Sequence, residues 1–360
     1  MATEPTQPAS QPTSGTVPQI VIQQATGSAW RFLNWIGWVG FAFCALLLLS
    51  QYLLLKDYFD TSGGIYESYH SGSEFASDKV AIISLTGVII EGDGFVKRQI
   101  DRVRNDENVK AIVLRINSPG GTVTGSDYIY HHLSRLRKER NLPMVVSMGS
   151  MAASGGYYAA MAVADQPKSI YAEPTTTTGS IGVIIPHYDI SGLLNRFDVK
   201  DDSITSHPRK QMLSMTRPIP DEHRLILQRY VDESFGRFKE IVKAGRPAFA
   251  ANPDLLDELA TGEIFSATQA KKHGLVDEIG FIEDAIDRAL EIAGLDKDTT
   301  RVVRFHKQVG LFELPAIAMS RNQRSSDLNT LLELSAPRAY YLATSLPPLV
   351  ASYAQLLESN

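Results

Sequence analysis

Between Leu33 and Leu55 the chain carries no charged side chain, and this run constrains the fold more than any other feature. A helix needs about 20 consecutive apolar residues to cross the hydrocarbon core of a bilayer. Trp35, Trp38 and Tyr52 stand towards the ends of the run, as aromatic side chains do where lipid headgroups begin. A stretch that is apolar nearly all round does not suit the one-sided burial of a helix on a globular core. It also starts too far from Met1, and runs too long, for a cleaved secretion signal. The sequence therefore predicts a transmembrane helix over residues 33–55. Residues 1–28, rich in Pro, Gln, Ser and Thr with almost no charge, cannot bury enough apolar surface to offset their ordering entropy and are expected to be disordered. Arg31 and Lys56 flank the span evenly, so basic residues do not set its direction.

Beyond the span the pattern changes twice. Residues 56–77, with Gly63, Gly64, Ser71, Gly72 and Ser73, read as a flexible tether. From Lys79 onward strand and helix signals alternate. Val80–Leu85, Ala111–Ile116 and Met144–Ser147 are apolar strands, and helices are expected over 95–109, 126–138 and 157–163. That βαβα rhythm predicts an α/β fold with parallel strands and helical crossovers. A long helix is expected over Asp221–Lys243, and Ser266 to Gln269 has the spacing of a capping box. Phe281–Ile292 reads as an amphipathic helix with acidic residues in its early turns. The folded unit spans residues 78–307, and the tail, 308–360, is partly apolar without clear periodicity.

Charge and cysteine content exclude several functions. The net charge is −5 with no basic stripe, which argues against a nucleic-acid partner. One cysteine, Cys44, leaves no disulfide framework or cysteine metal site within a chain. No phosphate-binding or dinucleotide fingerprint occurs, so neither a metal nor a cofactor is expected.

The densest chemical signal is Gly149-Ser-Met-Ala-Ala-Ser154-Gly-Gly-Tyr-Tyr158, joining a strand to a helix. A serine at such a junction lies beside free helix N-terminal N–H groups, which stabilise developing negative charge. Ser147 and Ser150 compete with Ser154 but lack a Gly-Gly pair directly behind them; a tightly packed small-residue helix start is the non-catalytic reading. Asn117-Ser-Pro-Gly-Gly121 ends another strand, and glycines there can turn N–H groups outward. The N–H groups of Gly121 and Gly155 are the expected oxyanion donors for acyl transfer; a plain β-turn is the alternative. A serine also needs a base. Lys210, in Ser206-His-Pro-Arg-Lys-Gln-Met-Leu213 after an expected strand at 202–205, is the candidate if Met212 and Leu213 help desolvate it.

With these segments in this order, roughly residues 78–295 resemble the signal peptide peptidase A family in its short, single-unit form, within the Clp-protease and crotonase fold group. The motifs that carry the resemblance are Asn117–Gly121, Ser147–Tyr158, Thr178-Gly-Ser-Ile-Gly-Val183 and Gly274-Leu-Val-Asp-Glu-Ile-Gly280, and Ala336-Pro-Arg-Ala-Tyr-Tyr-Leu342 in the tail looks familiar too. Gln166-Pro-Lys-Ser169 resembles a small insertion, and Arg209-Lys210-Gln211 departs from the family's usual His-Lys-Asp. The resemblance implies a βαβ superhelix behind one membrane helix and a serine endopeptidase with a Ser/Lys dyad, Ser154 and Lys210, the lysine held by Ser180. It implies substrates that are cleaved signal peptides and other unfolded peptides, with the catalytic domain outside the cytoplasm on the inner membrane. In double-length relatives serine and lysine come from different halves of the chain, which implies a homo-oligomeric ring for a single-unit form. Two rivals share the fold: a Ser/His/Asp triad using His187, and a crotonase-type acyl-CoA enzyme.

Overall fold

A computed structural model describes residues 28–58, 64–307 and 339–342. Of the segment expected to be disordered, residues 1–28, only Ser28 is described; the rest of it and most of the tail lie outside the described residues. The chain divides into two compact units, residues 1–60 and 61–360.

In the first unit α1 (Ser28–Tyr58) is one continuous helix. Its stretch Asn34–Tyr52 is long and apolar enough to cross a membrane, and none of that stretch is buried.

The second unit is built on strands β1 (Ile65–Gly72), β2 (Lys79–Thr86), β3 (Val109–Ser118), β4 (Gly120–Thr122), β5 (Met144–Ala153) and β6 (Ile170–Ala172). These are followed by β7 (Thr177–Gly179), β8 (Ile264–Ser266), β9 (Glu278–Ile279), β10 (Arg301–Lys307) and β11 (Tyr340–Leu342). Helices α2 (Phe95–Asn105), α3 (Val123–Arg140) and α4 (Gly155–Ala160) connect the early strands. A short α5 (Ser191–Arg196) precedes the long α6 (Asp221–Gly245), then α7 (Pro247–Ala251), α8 (Pro253–Leu259), α9 (Ala267–Lys272) and α10 (Ile282–Ala293) follow.

The central sheet runs β1-β10-β2-β3-β5-β6-β9, and every neighbouring pair is parallel except β1 with β10. Side chains alternate across it. Ala81, Ile83, Leu85, Ile112, Leu114, Ile116, Met144 and Val146 share one core with α3, while Val80, Ile82, Ala111, Val113 and Val145 meet α10 on the other face. Burial on both faces is why these strands read as nearly continuous apolar runs. The parallel α/β architecture expected from the sequence is the one observed.

One feature of β5 prepares the site. Its first half pairs with β6, at Val146–Met148, and its second half pairs with β7, at Met151–Ala153. The sheet therefore forks, and the end of β5 projects beyond the main layer.

Two local expectations need correction. The tether expected over 56–77 contains β1, an edge strand whose Glu67 takes an ion pair of 2.9 Å from the nearly buried Lys79. An edge strand meets solvent on one side, so its polar sequence hid it. The strand expected at 202–205 is irregular: the Asp201 carboxylate accepts the Ser203 N–H at 3.0 Å, and this Asx-type turn replaces a ladder.

Candidate active site

The two glycine-bearing segments are tied together before either forms a site. At the end of β3 the Asn117 side-chain oxygen accepts the Ser150 hydroxyl at 2.6 Å and the Met151 N–H at 3.2 Å. The Ser118 hydroxyl donates to the Gly87 carbonyl and accepts the Gly120 N–H at 3.1 Å. Gly120 adopts φ +96°, a conformation that L side chains avoid, and turns the chain into β4. On one side of β4 the Ile89 N–H donates to Gly120 O at 2.8 Å and the Thr122 N–H donates to Ile89 O at 2.7 Å.

Ser154 follows β5 with φ +54° and ψ −115°. This is a rare conformation for a residue with a Cβ and costs about 1–3 kcal/mol, so the surroundings must impose it. They do so with two bonds: its N–H donates to Gly179 O and its carbonyl accepts the Tyr158 N–H, each at 2.8 Å. The result is a sharp strand-to-helix elbow like that of G-x-S-x-G hydrolases, although Ala152 stands where that motif has glycine. Ser154 is 1% exposed, and its Oγ has no hydrogen-bond partner among the described residues.

The competing serines are occupied. Ser147 Oγ accepts Arg115 Nη1 at 2.8 Å, in a network where Arg115 also pairs with Glu173 at 2.6 Å. Ser150 is committed to Asn117.

Gly155 opens α4, so its N–H lies outside the helix's own bonding. A methyl group on Gly155 would sit 2.3 Å from Ser126 Oγ and 3.2 Å from Gly121 N, so the two glycine backbones pack against each other. Since Gly120 and Thr122 face Ile89, alternation along the strand turns the Gly121 N–H to the opposite side, where β11 lies. Gly121 and Gly155 thus converge beside Ser154.

Sequence reasoning missed β11. It pairs antiparallel with β4, placing Tyr341 opposite Gly121, and Tyr340 forms a bridge to Ile184 on its other edge. Ile184 lies after β7, and its pairing with Tyr340 is an isolated bridge. The Tyr341 side chain is fully buried, stacked on Tyr158 with centroids 5.2 Å apart, and its hydroxyl donates to Ser234 O at 2.7 Å. The signal was Ala336–Leu342, but three residues of strand show no periodicity, and residues 336–338 lie outside the described residues.

Beneath this cluster Tyr158 donates to Asp127, which also pairs with Arg237 at 3.2 Å. Burial, then the Asp127 bond, holds the Tyr158 hydroxyl far above the usual tyrosine range, and burial does the same for Tyr341. Both stay neutral at any ordinary pH.

The base expected from the sequence makes no bond to the serine. Lys210 lies in a short 3-10 turn, Pro208–Gln211, and is exposed, with no side-chain hydrogen bond or ion pair among the described residues. Met212 and Leu213, expected to help desolvate it, are themselves only half-buried. Ser180 is buried at φ +51°, with its N–H on Glu263 O at 2.6 Å, and makes no bond to Lys210. His187 bonds Ser214 O through Nε2 at 3.0 Å rather than any serine hydroxyl. Among the described residues no group of His, Cys, Asp and Glu could hold a metal ion.

Residues 136–296 match the model of peptidase family S49, and residues 81–179 match that of Clp protease. The Enterococcus faecium protein that carries the name signal peptide peptidase SppA is 34% identical over 282 residues, covering 71% of this chain and 79% of that one. Protease 4 of Salmonella typhi is 35% identical over 224 residues, covering 60% of this chain but only 35% of the longer relative. The chloroplastic serine protease SPPA of Arabidopsis thaliana is 29% identical over 240 residues, covering 62% of this chain and 34% of that one. A parallel α/β core, a serine elbow facing two glycine N–H groups and these similarities lead to one assignment: the chain belongs to peptidase family S49.

Proposed function

We propose that this peptidase hydrolyses peptide bonds with Ser154 as nucleophile and Lys210 as general base, the lysine coming from a neighbouring copy in a homo-oligomeric ring. The observation that carries the reading is the buried Ser154 Oγ, unpartnered on a strained elbow beside Gly155. A buried hydroxyl without a partner loses about 1–3 kcal/mol of hydrogen bonding, and a nucleophile awaiting its base is a physical reason to retain one. The Gly121 and Gly155 N–H groups receive the oxyanion, each such donor contributing roughly 2.7–4 kcal/mol in the transition state. Ser180 orients the lysine once it arrives.

The exposure of Lys210 supports completion by a second copy. A lysine accepts a proton only when neutral, and desolvation against a neighbour favours the neutral form. A lone chain would therefore be inert, and assembly would switch it on. The Ser/His/Asp rival is weakened by His187, whose ring is engaged at Ser214, and a crotonase-type reaction would have no need of the Ser154 elbow.

The helix α1 supports membrane anchoring in a single pass. The substrates proposed are cleaved signal peptides and other unfolded peptides, with the catalytic unit outside the cytoplasm. Anchoring raises the local concentration of enzyme near peptides left in the bilayer.

Mixing the two inactive variants tests the reading. Ser154→Ala and Lys210→Ala proteins, after verified subunit exchange, are expected to regain part of the wild-type activity, because some interfaces pair an intact serine with an intact lysine. Mixed rings that remain inactive would place the dyad within one chain.

A further inference from the structure

The register between β3 and β5 breaks just before the nucleophile. Ile116 lies opposite Met148, but Ser118 lies opposite Ala152, so β3 advances two residues while β5 advances four. The two extra residues make a bulge of Gly149, Ser150 and Met151 facing Asn117. In an unbroken ladder Ser118 would oppose Ser150, and by the same count Ala152 would stand level with Gly120. The bulge draws β5 back by two residues, about 6.6 Å at strand spacing, and Ser154 takes that place instead. The juxtaposition is close: a methyl group on Gly120 would lie 3.1 Å from Ser154 Cβ and 2.6 Å from Gly155 N. An even number of extra residues also leaves the alternation of faces unchanged beyond the bulge.

A bulge takes backbone groups out of the ladder, and here two side chains receive them. Thr176 is 1% exposed; its hydroxyl donates to Gly149 O at 2.6 Å, with Met148 O as a second acceptor at 3.2 Å. From the solvent side Asn117 Oδ1 accepts the Met151 N–H at 3.2 Å and the Ser150 hydroxyl at 2.6 Å. Thr176 also stands where the sheet forks. β6 pairs with β5 up to Met148, and β7, which begins at the residue after Thr176, pairs with it from Met151. The bulge fills the gap between these two pairings. Past it the Thr178 hydroxyl donates to Ala152 O at 2.6 Å, and the Ser154 N–H reaches Gly179 O.

We propose that Thr176 and Asn117 are positioning residues for the peptidase reaction: they hold the two-residue bulge of β5 that sets Ser154 level with Gly120 and beside the oxyanion donors. The inference rests on Ser154 being the nucleophile. Without the Thr176 hydroxyl the Gly149 carbonyl loses this partner in a buried place, and β5 regains ladder bonds by sliding towards the unbroken register. That slide carries Ser154 past Gly120 and away from Gly121. Thr176 acts on the chemistry only through β5.

The test compares Thr176→Val, which keeps the shape and removes the hydroxyl, with Thr176→Ser, which keeps the hydroxyl and removes a methyl group. The full chain in detergent is assayed on fluorescein-labelled casein, an unfolded protein, and for its rate of labelling by a serine-directed phosphonate. Thr176→Val is expected to lower kcat about 10²-fold, the cost of a displacement on the order of 1 Å. KM should stay near the wild-type value, and labelling of Ser154 should slow in parallel with kcat. Thr176→Ser is expected to melt at a lower temperature, from lost packing, yet keep a kcat close to wild type. Asn117→Leu removes the solvent-side acceptor from an exposed position, and so decides the matter if Thr176→Val does not fold. Its kcat is expected to fall, and Asn117→Asp, whose carboxylate accepts both bonds, is expected to restore it. A wild-type kcat in folded Thr176→Val or in Asn117→Leu overturns the inference and leaves the nucleophile assignment standing. Equal losses of kcat in Thr176→Val and Thr176→Ser, tracking the loss of stability, overturn it too, because packing alone then accounts for them. Wild-type protein that hydrolyses casein while its Ser154 stays unlabelled overturns the nucleophile assignment itself.

Discussion

The Ser154 N–H donates to the Gly179 carbonyl at 2.8 Å, and this bond joins the projecting half of β5 to β7 at the point where the chain turns into α4. Gly179 itself has φ +84°, and a methyl group there would meet the Phe265 ring at 2.6 Å. The elbow therefore depends on a glycine 25 positions downstream as much as on its own sequence.

Ser154→Ala is expected to abolish peptide hydrolysis, a loss on the order of 10⁶ in kcat when a nucleophile is removed. Stability should change by less than about 1 kcal/mol, since the lost hydroxyl makes no bond. Ser150→Ala should retain activity. Ser147→Ala should also retain it but lose about 1 kcal/mol of stability, because Arg115 forfeits a hydrogen bond. Steady-state rates and thermal melts check all three.

Lys210→Ala and Lys210→Arg are both expected to be inactive, the second because guanidinium stays protonated. Wild-type activity should rise towards alkaline pH, as a general base acts only after losing its proton. Tyrosine ionisation does not account for such a rise, because burial and the Asp127 bond keep Tyr158 neutral well past that range. A pH–rate profile of wild type and His187→Ala should superimpose; a shifted limb in the histidine variant would restore the triad reading.

Gly155→Ala should lower kcat while leaving the sheet folded. The added methyl meets Ser126 Oγ at 2.3 Å, and relief by shifting α4 would move one oxyanion donor from its partner. Losing alignment of one donor costs about 10²–10³ in kcat. Adding Ser126→Ala, which removes the clashing oxygen, should recover part of that loss. Equal rates for the single and double variants would show that the backbone contact, not Ser126, sets the effect.

A reporter that works only outside the cytoplasm, fused after Asn360, is expected to be active, and protease added to spheroplasts should digest the catalytic unit. Protection in intact spheroplasts with digestion after lysis would reverse the direction of α1.

Legibility followed burial. β2, β3 and β5 were plain in the sequence because both faces are covered, so most of their residues read apolar. The glycines around the Ser154 elbow were legible as residue types because a side chain at Gly121 or Gly155 would clash with its neighbours. β1 was not legible: as an edge strand it carries Tyr66, Glu67 and His70 where an inner strand would be apolar. Nor was β11, whose register on β4 depends on a contact more than 200 positions apart in the chain. Lys210 was legible as a residue type, but its environment was not. Met212 and Leu213 are half-buried, and Lys210 is exposed in a single chain.

The central claim, that Ser154 is the nucleophile, is tested most directly by labelling the assembled protein with a serine-directed phosphonate and mapping the modified peptide. The expected result is a single adduct on Ser154, absent in Ser154→Ala and strongly reduced in Lys210→Ala. An adduct on Ser147 or Ser150, or an unlabelled Ser154 in protein that is hydrolysing peptide, would contradict it.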